Sequence, residues 1–538
     1  MIVSVHWEKK GIRRKLDTAL HGLQWQPETF AVTDFSEACF LEFVFDAPIT
    51  AFQNHAYRWE VLPSKHPVFC GLMVPKVIRL AHGQLIQATI QGGHWELHAR
   101  YPNRLRWWFY PEKAQVLTRY TGAHHERQLE SVAGVGPLPA LPGLLFCTQY
   151  VSWSRAPIPF AATACFTDHC DFDTPENLET QRQFLQECGI RVTKGMFVHH
   201  FSKREDNASW EREAALLQAW ANDGHELAYH SLTQSIRDQE AAFQEFETTI
   251  PPVSMPTWID HGYQPYNLSL YAHQGKSDAW MGQQLSHKNI TNLWNYVDCG
   301  TATKGVLNQL NPQHFTLKAY HKGNRTLGGV TRLSLLLKAI LFHYYAQESL
   351  IRQYKSLASQ FKAVVFRRQW RQFPEFVKKM IHVTGPLSKV LFRWGSRGSE
   401  SFPLARYQTL FFEYTIATHP VSIFQTVEMV DFERALCPTN IDDLIADSGV
   451  FIAHTYFSVP LAYHTGRLLL NDQTVQPKVR SNFEYLGEKI RGQVVWNPTL
   501  DEWMAYVKGF TKTVLTCDAS GHSVVVCDGQ LNYRITTS

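Results

Sequence analysis

The chain has 538 residues, 44% of them hydrophobic, 13% aromatic and 19% charged, with a formal net charge of +4. That size predicts more than one domain, or one domain with large insertions, and the composition excludes a disordered chain. Ten cysteines without a CxxC pair predict free thiols rather than a disulfide framework or a zinc ribbon. The opening MIVSVHWEKKGIRRK has no apolar signal region, and no run reaches the roughly 18 apolar residues of a spanning helix. A cytoplasmic location is expected, and no nucleic-acid partner.

Residues 1–155 are expected to form a strand-rich N-terminal domain. The basic segment around Lys9 to Lys15 reads as helical. CFLEFVFDAPI, YRWEVLP, QLIQATIQ and RLRWWFY read as strands broken by Pro, Gly, Asn and His. His124–His125 are expected at the surface and Trp107–Trp108 in the core. GVGPLPALPG, 134 to 143, reads as a linker. No catalytic constellation is visible in this region.

From about residue 156 the pattern changes to alternating strand and helix. Ala164, Cys165 and Phe166 end a strand. Asp168, His169, Asp171 and Asp173 then crowd into six positions. The three carboxylates beside that imidazole repel one another unless a proton or cation compensates them. Thr174 is a good N-cap with Pro175 at N1, and Gly189 a plausible helix stop. RVTKGMFVHH is a strand ending at His199 and His200, and Ser209 caps the next helix. HELAYH carries His230 and Ser231 to its end, and SMPTWIDHG carries Asp260 and His261. These strand ends recur about every thirty residues, the length of a βαβ unit. A parallel barrel gathers such ends on one face.

ITNLWNYVDCG reads as a further strand offering Trp294, Asn295 and Asp298. A basic helical insertion is expected over about 321–445, with Lys338, Lys355, Arg367, Arg368, Arg371, Lys378, Lys379, Arg393 and Arg397. Such a region either contacts a membrane surface or forms a helical cap with a solvated basic face. SGVFIAH delivers His454 to a strand end, and TLDEWMAYV is a terminal helix. Over 516–538, SVVVCDGQLNYRIT reads as a hairpin turning at Asp528–Gly529.

The order of CFTDHCD, ECGIRVTKGMFV, GHELAYHSLTQ, TWIDHGYQPY, LWNYVD and GVFIAH resembles the polysaccharide deacetylases, the NodB-homology or carbohydrate esterase family-four enzymes. The resemblance covers roughly 160–300 and 445–515. It implies an α/β fold, a distorted (β/α)7 barrel over 156–515, and metal-dependent removal of N- or O-acetyl groups from a carbohydrate in cell-surface polysaccharide metabolism. The implied metal is a divalent ion of the zinc type. Asp168 falls at the base and His454 at the general acid, with Asp260 or Asp298 orienting one of them. The metal ligands are sought among His169, Asp171, His230 and His261, with His199 and His200 as weaker choices. Two departures stand out: the family's paired Asp is Asp168–His169, and its second ligand His falls at Gln234. The alternatives are a glycan-binding member without catalysis and a membrane-surface scaffold in polysaccharide synthesis.

Overall fold

A computed structural model describes residues 1–18, 20, 22–27, 35–62, 67–98, 100–112, 114–121, 126–132, 138–203, 207–260, 262, 264–361, 371, 373–460, 466–527 and 530–537. His261, His124–His125, Arg367, Arg368 and the Asp528–Gly529 turn lie outside them.

The N-terminal region is strand-rich, as its short alternating segments predict. Two six-stranded antiparallel sheets share one hydrophobic core. Trp25 of one sheet meets Phe43 of the other edge to face, with ring centroids 4.9 Å apart. In the strand Arg104–Phe109 burial alternates residue by residue, so Trp107 is core and Trp108 only half-buried. The helix expected around Lys9 to Lys15 is instead a hairpin, Ile2–Lys9 against Ile12–Leu16. Lys10 and Gly11 take φ of 51° and 78°, the double positive φ that two-residue hairpin turns need. Val5 and Trp7 alternate into the core, and a period of two defeats the helix.

The second unit is a closed barrel of seven parallel strands. They are Ala162–Asp168, Thr193–Phe197, Glu226–Ser231, Thr257–Trp258, Asn292–Thr301, His419–Glu428 and Val450–Thr455. Each pairs with the next, and the seventh closes on the first. Helices cover the outside. The first, Pro175–Cys188, has the expected N-cap Thr174 in a capping box with Asn177, and ends at Gly189 in the left-handed region. Side chains alternate along each strand. Ala164, Phe166, Leu227 and Tyr229 pack toward the helices. Cys165, Ala228, Ile259, Phe424 and Ile452 join the core shared with the sandwich and the terminal helix Leu500–Val507. Each large side chain so buried contributes roughly 1.5–3 kcal/mol.

The insertion between the fifth and sixth strands is helical, but it ends earlier than expected. The sixth barrel strand, His419–Glu428, and the helix Phe432–Ala435 fall within 321–445, the helix Pro438–Ala446 begins within it, and all three belong to the barrel. Its own helices include Gly329–Ala339, a π-helical turn Ile340–Tyr345, Glu348–Phe361 and Phe373–Phe392. The tail is not a self-paired hairpin. Ser523–Cys527 pairs with Val514–Cys517, and Tyr533–Thr537 joins Gln149–Trp153 at the sandwich. Among the described residues no helix is long and apolar enough to cross a membrane.

Candidate metal centre and active site

The period of two on the first barrel strand sorts the acidic cluster. Ala164 and Phe166 face the helices, so Asp168 does too, and His169 continues the inward series of Cys165 and Thr167. Asp168 is fully buried and ion-paired with Lys194. Its other oxygen accepts from the Phe457 N–H at 2.8 Å and the Thr455 hydroxyl at 3.0 Å. Lys194 Nζ lies 2.7 Å from Asp173 and donates to Gln181 at 3.0 Å. Burial pushes the Asp168 carboxyl up to about 6 against the pull of the Lys194 charge. Burial works against the Lys194 ammonium, but the charges of Asp168 and Asp173 outweigh it and raise its pKa. Asp168 therefore does not sit where a base for the barrel mouth was expected. Its carboxylate and that of Asp173 tie the first strand to the second and to the first helix.

The inward series forms the site. His230, on the third strand, places Nδ1 2.6 Å from the Ile259 carbonyl oxygen. A carbonyl only accepts, so Nδ1 carries the proton. In the neutral ring Nε2 is then a lone pair, and it lies 3.2 Å from Asp171 Oδ2. A lone pair and a carboxylate oxygen at that distance require a shared proton or cation. One ligand atom each from His169, Asp171 and His230 lies within 4.8 Å of the others. Tetrahedral ligands at about 2.1 Å from one ion lie about 3.4 Å apart, so His230 and Asp171 already stand at ligand spacing. Two imidazoles and one carboxylate suit an ion of the zinc type. The donor set and the committed Nδ1 of His230 both fit the expected metal.

His454 ends the seventh strand beside this cluster. Its ring centroid is 4.3 Å from that of His169, which is 4.8 Å from that of His230. Trp294 and Tyr456 complete the wall, at 4.9 and 4.8 Å from the His169 ring. Of the two carboxylates considered as its partner, Asp298 takes the place. His454 Nδ1 is 3.0 Å from Asp298 Oδ2, and Asp298 Oδ1 accepts from Thr426 at 2.7 Å. Burial alone lowers the imidazole pKa, but the charge and hydrogen bond of Asp298 outweigh it and raise it above the ordinary value. Burial likewise opposes the ionised Asp298, and His454 holds its pKa down nonetheless. His454 Nε2 is buried without a hydrogen-bond partner among the described residues.

The remaining expected residues lie elsewhere. Asp260 is buried at the fourth strand end, where it accepts from Ser269 at 3.3 Å. Gln234 accepts from Ser202 and Ser235, at 3.1 and 2.8 Å. His199 pairs with Thr249 at 3.2 Å, and the His200 N–H donates to Glu211. His169 and Asp171 cluster with His230, while His261, the substitute sought for the ligand falling at Gln234, lies outside the described residues. Three contributors were not anticipated. Lys194 is legible only as a charge in an otherwise apolar strand. Glu428 ends the sixth strand and accepts from Thr301 at 3.1 Å, and Thr301 meets His343 of the insertion at 3.0 Å. Tyr456 stands two residues after His454, past Thr455.

Gly195 explains how the His230 ring fits. A Cβ there would meet the Asp168 carbonyl oxygen at 2.9 Å and the His230 Cβ at 3.4 Å. Gly195→Ala should cost about 1–3 kcal/mol and weaken metal retention, read by melting temperature and bound metal per chain.

The molecule is thus an α/β barrel protein with a histidine and carboxylate centre at the carboxyl ends of its strands. No family model and no curated protein matches the chain. Among solved structures it aligns with a xylosidase from Aspergillus niger at 13% identity and a TM-score of 0.20. That alignment covers 56% of this chain and 43% of the xylosidase, so the chain spans less than half of that protein, and so low a score carries no argument about fold or chemistry.

Proposed function

We propose that this chain is a metal-dependent hydrolase of the polysaccharide-deacetylase type, removing N- or O-acetyl groups from a carbohydrate. The observation that carries the reading is the His169–Asp171–His230 cluster set against the His454–Asp298 pair at one barrel mouth. A divalent cation held by His169, Asp171 and His230 would polarise the acyl carbonyl and lower the pKa of water.

The side chains divide the proton transfers. Asp171 is the acid side chain at the cluster with part of its surface exposed, at 15%. One of its oxygens would hold the cation, and the second takes the proton of the attacking water, the role first read onto Asp168. Water oxygen bonds to the acyl carbon. His454 gives its Nε2 proton to the departing nitrogen or oxygen as that bond breaks, releasing acetate and the free sugar amine or hydroxyl. Asp298 holds the imidazole in orientation and keeps it protonated. Trp294 and Tyr456 narrow the space beside it, where aromatic faces suit a sugar ring.

The test is acetate release from N-acetylated and O-acetylated oligosaccharides by zinc-loaded protein, with chelation as the control. Because Asp298 raises the His454 pKa, the alkaline limb of the rate should lie above the ordinary histidine value of about 6.5. Asp298→Asn removes that charge and should move the limb to lower pH. No acetate from any such substrate, with metal bound, would overturn the reading. An unmoved limb would remove His454 from the acid role.

A further inference from the structure

The insertion carries an exposed face that the barrel chemistry does not use. Between 371 and 393 there are five bases, Arg371, Lys378, Lys379, Lys389 and Arg393, against one acid, Glu375. The helix Phe373–Phe392 is 20 residues long. At about 100° per residue, Val383, Leu387 and Val390 share one side, and that side is buried in the protein. Phe373, Met380, Ile381, Leu391 and Phe392 fall in a neighbouring sector about 120° wide. All five are exposed, Ile381 at 66% and Phe392 at 91%.

The charges border this apolar stripe. Lys378 and Lys389 lie along its edge, and Arg371 and Arg393 stand at its two ends, all exposed. Lys379 is turned the other way, donating to Ser356 at 2.9 Å and lying 3.7 Å from Glu375. The remaining cations of the stripe therefore face outward beside bare phenylalanine, isoleucine and leucine. In water this arrangement leaves apolar area exposed, and lysines along it discourage a second positively charged copy from covering it.

We infer that the helix Phe373–Phe392 docks flat on an anionic lipid surface, its apolar stripe entering the interface and its flanking lysines and arginines meeting the headgroups. Charge complementarity selects the anionic surface. The stripe separates lipid from a free polyanion, which would engage the bases alone. A helix of this kind lies in the interface plane with its apolar face about 5–10 Å below the headgroups and does not span. This inference stands independently of the hydrolase reading, since no residue of the stripe belongs to the metal centre.

The experiment is co-sedimentation of the full chain with vesicles of phosphatidylcholine alone and of phosphatidylcholine mixed with phosphatidylglycerol. Binding is expected to the mixed vesicles only, and to weaken as salt rises. Lys378→Ala and Lys389→Ala should each reduce the partition coefficient about fivefold. Ile381→Ser with Phe392→Ser should release the protein from the vesicles while its circular dichroism and bound metal stay unchanged. Equal binding to both vesicle types, or binding to neither, would overturn the proposal. So would a dimer in sedimentation velocity that the Ile381→Ser, Phe392→Ser variant dissociates, which would make a second copy the occupant.

Discussion

Replacing His454 with alanine should lower kcat by about 10²–10⁴ while the protein still binds its metal. His230→Ala should lose both the metal and the activity. The two variants separate the halves of the site. His454 is held by Asp298, 3.0 Å away, and its other nitrogen is aimed into the buried space beside His169. It is not one of the three side chains whose donor atoms cluster within 4.8 Å. His230 is one of them, and its Nδ1 is committed to the Ile259 carbonyl, so its Nε2 is fixed toward Asp171. The measurements are metal per chain by elemental analysis and acetate release at saturating substrate. Loss of metal in His454→Ala would make that residue a ligand rather than an acid. Full activity in His454→Ala would end its part in catalysis.

The pair also links stability to pH. The raised His454 pKa contributes stability that is complete below the unfolded histidine value and disappears as pH rises through the folded one. The lowered Asp298 pKa contributes stability present above the unfolded carboxylate value and lost as pH falls through the folded one. The pair is therefore strongest between these limits, where both groups are charged.

Much of this was written locally. Thr174, Pro175 and Gly189 mark the first helix because caps act over three or four residues. The thirty-residue rhythm of strands ending in polar residues needs only the length of a βαβ unit. The place of His230 and His454 at the barrel mouth follows, since each lies at the end of an apolar strand. The ion pair of Asp168 with Lys194 was not foreseen, although its side could be counted. Phe166, two residues earlier, belongs with the helices, and the same parity sends Asp168 outward to Lys194 and His169 inward. The choice of Asp298 over Asp260 was not legible. Asp298 meets His454 across 156 positions of chain, and it does so through an irregular fifth strand whose register shifts between Trp294 and Asp298. Positive φ at Tyr296 marks that irregularity, and no local propensity foretells it.

Lys194→Met should be the most damaging single change outside the metal centre, costing about 3–5 kcal/mol. Methionine keeps the length of the side chain but removes the ammonium from between Asp168 and Asp173, both buried. What remains is two carboxylates sharing one dry space, with Gln181, Ser458, Thr455 and the Phe457 N–H as their donors among the described residues. One must take a proton, so the deficit should shrink as pH falls and the carboxyls protonate without the lysine. Asp168→Asn should cost less, because Lys194 keeps Asp173 at 2.7 Å. The measurement is the apparent melting temperature and protease resistance of each variant as a function of pH. The opposite pattern, an Asp168→Asn protein of undiminished stability that has lost acetate release with its metal in place, would return Asp168 to the role of base. The strand parity that turns its carboxylate toward the helices predicts the first pattern.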